Sequence, residues 1–234
     1  MSYAMMVKDN IRKYPELKII DAHKLYKEKF NSISEQAFYQ TFSRMVKSGE
    51  IKRLTKGVYC VPKKGRFGVV ISSEKNILEY YLGSKNNRGA VVGYRMYNKH
   101  RLTTQVSKAV EIYSNVTLQE KKNIKNITIN RVNIRFDRST TRLIELLEVL
   151  QNHKKIEDLN YANLIKFIED SVQYYNNRVL DKLIRVIGYK KSTLASLKNI
   201  LDYYGRENTI SEYLNEISNY NALKMEELNE ITPL

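Results

Sequence analysis

Between Ser34 and Pro62 the hydrophobic period changes once, and a glycine stands at each point where the backbone has to turn. Ala37, Phe38, Phe42, Met45 and Val46 fall on one stripe at α-helical spacing. Ser34 is placed to cap that helix, and Gly49 to end it in a left-handed conformation. Residues 50–54 and 58–61 then read as two short strands around Thr55-Lys56-Gly57, where Gly57 supplies the positive φ of a tight turn. This order of helix, stop, strand, turn and strand commits the segment to a local α+β unit.

Upstream, Pro15 disfavours helical geometry at the residue before it, so a first helix ends near Tyr14. Asp21 can cap a second helix in which Leu25, Tyr26 and Phe30 turn inward before Asn31-Ser32 breaks it. Residues 1–66 therefore read as three helices and a hairpin, the order of a winged helix-turn-helix.

The pattern changes at Val69-Val70-Ile71. A helix follows with Ile77, Leu78, Tyr81 and Leu82 inward, then another from Gly93 to His100. Val110-Ile112, Ile127-Ile129 and Val132-Ile134-Phe136 alternate in the manner of strands, so 67–138 reads as a small α+β middle section. Residues 139–234 read as all-helical. Their apolar sets, each at helical spacing, are Leu143, Leu146, Leu147 and Leu150; Leu164, Ile165, Ile168 and Val172; Leu180, Leu183, Ile184 and Ile187; Leu194, Leu197 and Leu201; and Tyr213, Leu214 and Ile217. The fold class expected for the whole is α+β: an N-terminal winged helix-turn-helix, the middle section, and a helical C-terminal domain.

Charge divides the chain in the same way. The net charge is +15, of which residues 1–66 carry +9 and residues 67–138 carry +8, while 139–234 carry −2. The basic character belongs to the first 138 residues, and polyanions are its natural partners. No apolar run approaches the ~20 residues needed to cross a bilayer, and the first residues lack the apolar region of a secretory signal, so a cytoplasmic protein without a membrane partner is expected.

Cys60 is the single cysteine, which excludes an intramolecular disulfide and a cysteine-based zinc site; a small buried hydrophobe is expected. His23, His100 and His153 share no ligand spacing, and no metal is expected. The phosphate-loop, dinucleotide, zinc-protease and nucleophile-elbow patterns are missing, and Glu111, Glu120 and Asp137 do not cluster as a metal-dependent nuclease requires. The expectation is a non-enzyme with no catalytic residue and no cofactor.

The chemistry lies on the side of the Ser34 helix opposite its apolar stripe. There Gln36, Tyr39, Gln40, Ser43 and Lys47, with Arg44 at the margin, form a polar stripe without a carboxylate. A helix of this size fits the ~12 Å major groove of B-DNA. Gln36 and Gln40 suit bidentate contact with adenine, and Arg44 suits guanine. Tyr39, Ser43 and Lys47 suit phosphate oxygens, which set register without reading sequence, and Ser34 at the helix start completes the expected DNA-binding set. Lys52, Arg53 and Lys56 on the hairpin are expected at the flanking backbone or minor groove, and Lys63, Lys64 and Arg66 continue the positive strip. One polar helix face is by itself only amphipathicity. Duplex DNA is favoured by conjunction: a helix-turn, an acid-free polar helix and a basic glycine-turn hairpin in one strongly positive segment. Tyrosine pairs such as Tyr80-Tyr81, Tyr174-Tyr175 and Tyr203-Tyr204 could stack on bases, but one member of each falls on an apolar stripe, which favours packing.

Residues 38–62, with Ser43-Arg44-Met45-Val46-Lys47-Ser48-Gly49-Glu50-Ile51-Lys52-Arg53-Leu54-Thr55-Lys56-Gly57-Val58-Tyr59, resemble the start of the AbiEi-like abortive-infection antitoxins of bacterial type IV toxin–antitoxin systems. Gly93-Tyr94-Arg95-Met96-Tyr97-Asn98 followed by Leu102-Thr103-Thr104-Gln105-Val106 is similar to a second block of that family. The resemblance spans roughly residues 33–136. It implies a DNA-binding autorepressor that recognises inverted repeats in its own promoter. It also implies an antitoxin countering a nucleotidyltransferase-type toxin without a stable complex. The residues leave a rival open: an RNA-binding or protein-interaction module whose helical tail docks a partner.

Overall fold

In the computed structural model, which describes residues 2–215 and 219–231, α1 (Tyr3–Arg12) ends just ahead of Pro15 and β1 (Ile19–Asp21) follows. The Asp21 carboxylate accepts the Lys24 amide at 3.1 Å and starts α2 (Ala22–Leu25), which runs on as one π-helical turn over Tyr26–Phe30. Ser34 Oγ accepts the Ala37 amide at 3.4 Å and starts α3 (Glu35–Lys47). Gly49 at φ 80° and Gly57 at φ 76° then turn the chain into β2 (Lys52–Thr55) and back through β3 (Val58–Cys60).

These strands form an antiparallel sheet in the order β1-β3-β2. Register sorts its two faces. Ile20 and Arg53 lie opposite Tyr59, whose ring packs on Phe42 of α3 at 5.0 Å; Ile19 and Lys52 lie opposite Cys60, on the other face. Beneath α3, Phe38 is fully buried among Tyr26, Phe30 and Phe42 at ring separations of 5.2, 5.6 and 4.7 Å.

A hairpin of β4 (Lys63–Gly65) and β5 (Gly68–Val70) follows, then α4 (Glu74–Leu82), whose first turn is closed by a reciprocal capping box between Ser73 and Asn76. Next come β6 (Gly89–Val92), α5 (Tyr94–Lys99), β7 (Val110–Ser114), β8 (Lys121–Ile124) and β9 (Ile127–Arg131). They build a four-stranded sheet in the order β6-β7-β9-β8, with β7 and β9 parallel and the other pairs antiparallel. The tail comprises α6 (Arg138–Asn152), α7 (Tyr161–Val172), α8 (Asn177–Ile187), α9 (Lys191–Tyr203) and α10 (Met225–Ile231), with short 3-10 turns at 153–155 and 210–213. The chain is a mixed α+β fold, and no described helix is long and apolar enough to cross a membrane.

Several elements differ from the sequence expectation. Val132-Ile134-Phe136 is not a strand: Val132 donates to the Ser114 carbonyl at 3.0 Å, and beyond it the chain leaves the sheet. Its alternation records burial of Val132 and Phe136 alone. Strands β1, β4, β5, β6 and β8 are additional. The 66/67 division falls within the two-residue turn of the β4–β5 hairpin. Of the last apolar set, Tyr213 ends a short 3-10 turn and Leu214 follows it in extended backbone rather than on an α-helix, while Ile217 lies outside the described residues.

Buried contacts cross both compositional divisions. Ile19, Val58 and Cys60 share a core with Ile77, Tyr81, Val110, Ile112 and Ile129, while Val92, Met96 and Tyr97 share another with Leu143, Leu147 and Leu150. Polar contacts reinforce both junctions. Lys122 Nζ on β8 reaches Asp21 Oδ2 at 2.8 Å, with the two side chains 5% and 3% exposed. Glu145 of α6, 4% exposed, accepts from Lys99 and pairs with His100, both at 3.1 Å, and meets Arg142 at 3.2 Å. Burial pushes the Glu145 carboxyl up, and His100 and Lys99 outweigh it to bring the group below its usual range. One turn on, Glu148 accepts from the Tyr113 hydroxyl at 2.7 Å, and here burial wins and the carboxyl is raised.

Candidate nucleic-acid interface

The outer side of α3 presents Gln36, Gln40, Ser43, Arg44 and Lys47, all exposed, with exposed Ser34 at the helix start. Phe38, Thr41, Phe42 and Met45 are buried on the inner side. The helix thus holds its polar stripe outward because its aromatic stripe is anchored on Tyr26, Phe30 and Tyr59. Tyr39 sits at the border rather than fully on the open stripe. Its ring is half-buried and edge-on to Phe38 at 5.3 Å, and burial, with the nearby Glu35 carboxylate, pushes its phenol up.

On the hairpin the three expected cations separate. Lys56 is exposed at the turn, where Ala22 N–H donates to the Gly57 carbonyl at 2.9 Å and ties the turn to the start of α2. Arg53 is exposed on the sheet face shared with Tyr59, the face that α3 covers, and its Nε donates to the Thr55 carbonyl at 3.4 Å. Lys52 is half-exposed and lies opposite Cys60, on the face turned toward α4. Arg53 therefore shares the sheet face on which α3 packs, Lys56 stands at the turn beside the start of α2, and Lys52 lies on the opposite sheet face.

Charge pairing adds an arrangement invisible to spacing. Of the six carboxylates in residues 1–66, all but Glu35 are paired with cations other than those of α3 and the β2–β3 hairpin. Asp9 meets Arg12, Glu16 meets Lys63, Asp21 meets Lys122, and Glu28 meets Lys24. Glu50 takes Lys8 at 3.4 Å and Arg12 at 2.9 Å, and also accepts from Ser48 at 2.9 Å. Burial raises its carboxyl, and Ser48, Arg12 and Lys8 bring it below the usual range. Among the described residues, Arg44, Lys47, Lys52, Arg53 and Lys56 enter no ion pair.

No protein-family model matches the chain, and no curated protein matches it. Among solved structures, the crystal structure of the RV2827C protein from Mycobacterium tuberculosis is similar over 86% of this chain and 76% of that chain, at 11% identity and a TM-score of 0.39.

The second block, residues 93–106, serves the middle of the molecule. Gly93 precedes α5, and Asn98 Nδ2 donates to the Thr103 carbonyl at 3.2 Å, fastening the helix to the loop after it. Tyr94, Arg95, Asn98, Val106 and Lys108 line a groove of about 590 Å³, in which Arg95 is neutralised by Glu74. Among the described residues no three His, Cys, Asp or Glu side chains gather as a metal-ligand set. Cys60 is fully buried, and His100 and His153 are engaged by Glu145 and the Leu150 carbonyl.

Proposed function

We propose that this chain grips duplex DNA with α3 and the β2–β3 turn, as a winged helix-turn-helix, and represses its own operon. The carrying observation is the segregation of charge. Arg44 and Lys47 on α3 and Arg53 and Lys56 on the β2–β3 hairpin stand exposed and outside ion pairs, while five of the six carboxylates of residues 1–66 are paired with other cations and only Glu35, in the first turn of α3, is not. An uncompensated cationic surface releases counterions from a polyanion, the dominant favourable term in binding DNA. The helices, β1 and the hairpin follow one another in the order that a winged helix requires.

In this reading α3, ~20 Å long at 1.5 Å per residue, enters the major groove. Gln36 and Gln40 read adenine edges and Arg44 a guanine; Ser34, Ser43 and Lys47 hold phosphates, and Arg53 and Lys56 hold the flanking backbone. Tyr39 contributes its hydroxyl from the border of the stripe, and Lys52 reaches the backbone from the far sheet face. The protein acts in the cytoplasm, without cofactor or catalysis. The resemblance of residues 38–62 and 93–106 to AbiEi-like antitoxins supports the remainder of the proposal: the operator consists of inverted repeats, and the protein counters a nucleotidyltransferase-type toxin without a stable complex with it.

A gel-shift titration against the chain's own upstream DNA and a random duplex tests the repressor half. Preference for the upstream DNA is expected; equal binding at low and at moderate salt would overturn it. Co-expression with a nucleotidyltransferase encoded beside it tests the antitoxin half, with restored growth expected and unrelieved toxicity contradicting it.

A further inference from the structure

We propose that the β4–β5 hairpin is a second DNA-contacting arm, in which Lys63, Lys64 and Arg66 hold phosphates and Phe67 is wedged against the bases. The proposal rests on the DNA-binding reading and adds to it a contact and a mode of recognition.

The hairpin is fastened at its base and free at its tip. Lys63 pairs with Val70, Lys64 with Val69 and Gly65 with Gly68, leaving Arg66 and Phe67 as the turn. At the base, the Leu17 and Val61 amides donate to the carbonyls of Val61 and Lys18, at 2.8 and 3.1 Å. Ser72 Oγ donates to the Leu17 carbonyl at 2.8 Å, and Lys125 Nζ to the Ser72 carbonyl at 3.0 Å. Beyond these contacts the ribbon carries its apolar side chains in the open. Phe67 is 97% exposed, and Val69, Val70 and Ile71 are 59%, 45% and 39% exposed. An isolated two-stranded ribbon is marginally stable in water, so a hairpin holding four large hydrophobes outside any core is built to meet a surface.

Chemistry selects the surface. Residues 63–73 contain three cations and no carboxylate; Lys64 and Arg66 enter no ion pair among the described residues, and Lys63 meets Glu16 at 3.9 Å with both side chains more than half exposed. The Arg66 guanidinium lies 5.8 Å from the centre of the Phe67 ring. Cations flanking a projecting aromatic ring match a backbone of phosphates around stacked bases: the charges hold the backbone and the ring enters or caps a base step. A two-stranded ribbon also fits a groove of B-DNA. Continuity favours the same duplex that α3 engages. Only Val61 and Pro62 separate β3 from β4, so the β2–β3 turn and the arm leave opposite ends of one three-residue strand. That strand is about 10 Å long at ~3.3 Å per residue, a separation of groove dimensions.

The test uses the full chain and duplexes of its own upstream DNA, each with 2-aminopurine at one adenine, whose fluorescence rises when a base unstacks. Wild type is expected to raise the signal at one or two positions. Phe67→Ala is expected to abolish that rise and weaken binding about tenfold. Phe67→Trp should restore both. Because the ring is exposed, neither variant should shift the melting temperature. Lys63→Ala/Lys64→Ala/Arg66→Ala should make the slope of log K against log salt shallower by about 2 to 3. If wild type binds with Gln40-dependent affinity but Phe67→Ala matches it in affinity and fluorescence, the arm is overturned while the DNA reading stands. If wild type shows no duplex binding, the underlying reading fails first, and the arm with it. Two further results would also overturn the arm. One is Phe67-dependent binding to phosphatidylserine vesicles with DNA affinity unchanged. The other is Phe67-dependent dimerisation with DNA affinity per protomer unchanged.

Discussion

Replacing Lys122 by methionine removes an ammonium group and keeps most of the stem, which isolates the worth of one buried charge. In the intact protein Lys122 Nζ sits 2.8 Å from Asp21 Oδ2, and Asp21 Oδ1 accepts the Lys24 amide at 3.1 Å as the cap of α2. With both side chains at 5% exposure or less, Lys122→Met leaves the carboxylate out of water with one N–H donor. Breaking a buried pair from one side costs about 3–5 kcal/mol. For a chain of 234 residues, at about 2–4 °C per kcal/mol, the melting temperature falls by roughly 6–20 °C. Asp21→Asn/Lys122→Met should cost less than Lys122→Met alone, about 1–2 kcal/mol, because no charge is then stranded and asparagine caps a helix as well as aspartate does. Urea unfolding followed by far-UV circular dichroism measures all four corners of the cycle. A single variant that costs under about 1 kcal/mol, or a double variant that costs the sum of the two singles, would refute the claim that this pair clamps the N-terminal unit to the four-stranded sheet.

Other outcomes follow from the same contacts. Lys56→Ala should weaken binding to all duplexes alike and reduce the salt slope by about 1, whereas Gln40→Ala should cost about 1–3 kcal/mol at particular base pairs; binding arrays of single-base operator variants separate the two. Phe38→Ala, emptying a fully buried ring site, should cost about 3–5 kcal/mol in urea unfolding. Glu145 and Glu148 should respond to pH in opposite senses. The lowered Glu145 group adds stability that is present above its unfolded value of about 4.5 and lost as pH falls through the folded value, so Glu145→Gln should be less stable than wild type at neutral pH and converge with it in acid. The raised Glu148 group adds stability below the unfolded value that is lost as pH rises through the folded one. Glu148→Gln, which keeps an acceptor for Tyr113, should therefore melt higher than wild type at about pH 8 and match it near pH 4.

Punctuation was the most legible part of the fold. Asp21 and Ser34 cap helices, Gly49 and Gly57 adopt positive φ, and the apolar stripe of α3 is buried on Phe38, Phe42 and Met45. Each of these depends on local stereochemistry. The strands β1, β6 and β8 were not legible because three or four residues carry too little pattern. All three residues of β1 are buried, so it shows no alternation, and β8 buries a lysine where an apolar residue would be counted. Val132-Ile134-Phe136 misled for the converse reason: one-sided burial alternates whether or not a strand is paired. The β4–β5 hairpin escaped notice because Arg66-Phe67 lacks the Asn-Gly chemistry that announces a tight turn. Within the candidate site the open stripe of α3 was readable from polarity. The engagement of Glu50 by Lys8, 42 positions away, and of Asp21 by Lys122, 101 positions away, was not. Side-chain neighbours that distant become visible only once the sheet brings them together.

The most direct trial of the DNA-binding claim is a salt titration of duplex affinity for wild type and for Arg44→Ala/Lys47→Ala/Arg53→Ala/Lys56→Ala. The four exposed groups are expected to neutralise about four phosphates, so the variant's slope of log K against log salt should be shallower than wild type's by about 3 to 4, with the fold intact by circular dichroism. Equal slopes for the two proteins would place whatever DNA contact exists on another surface and contradict the assignment of α3 and the β2–β3 turn.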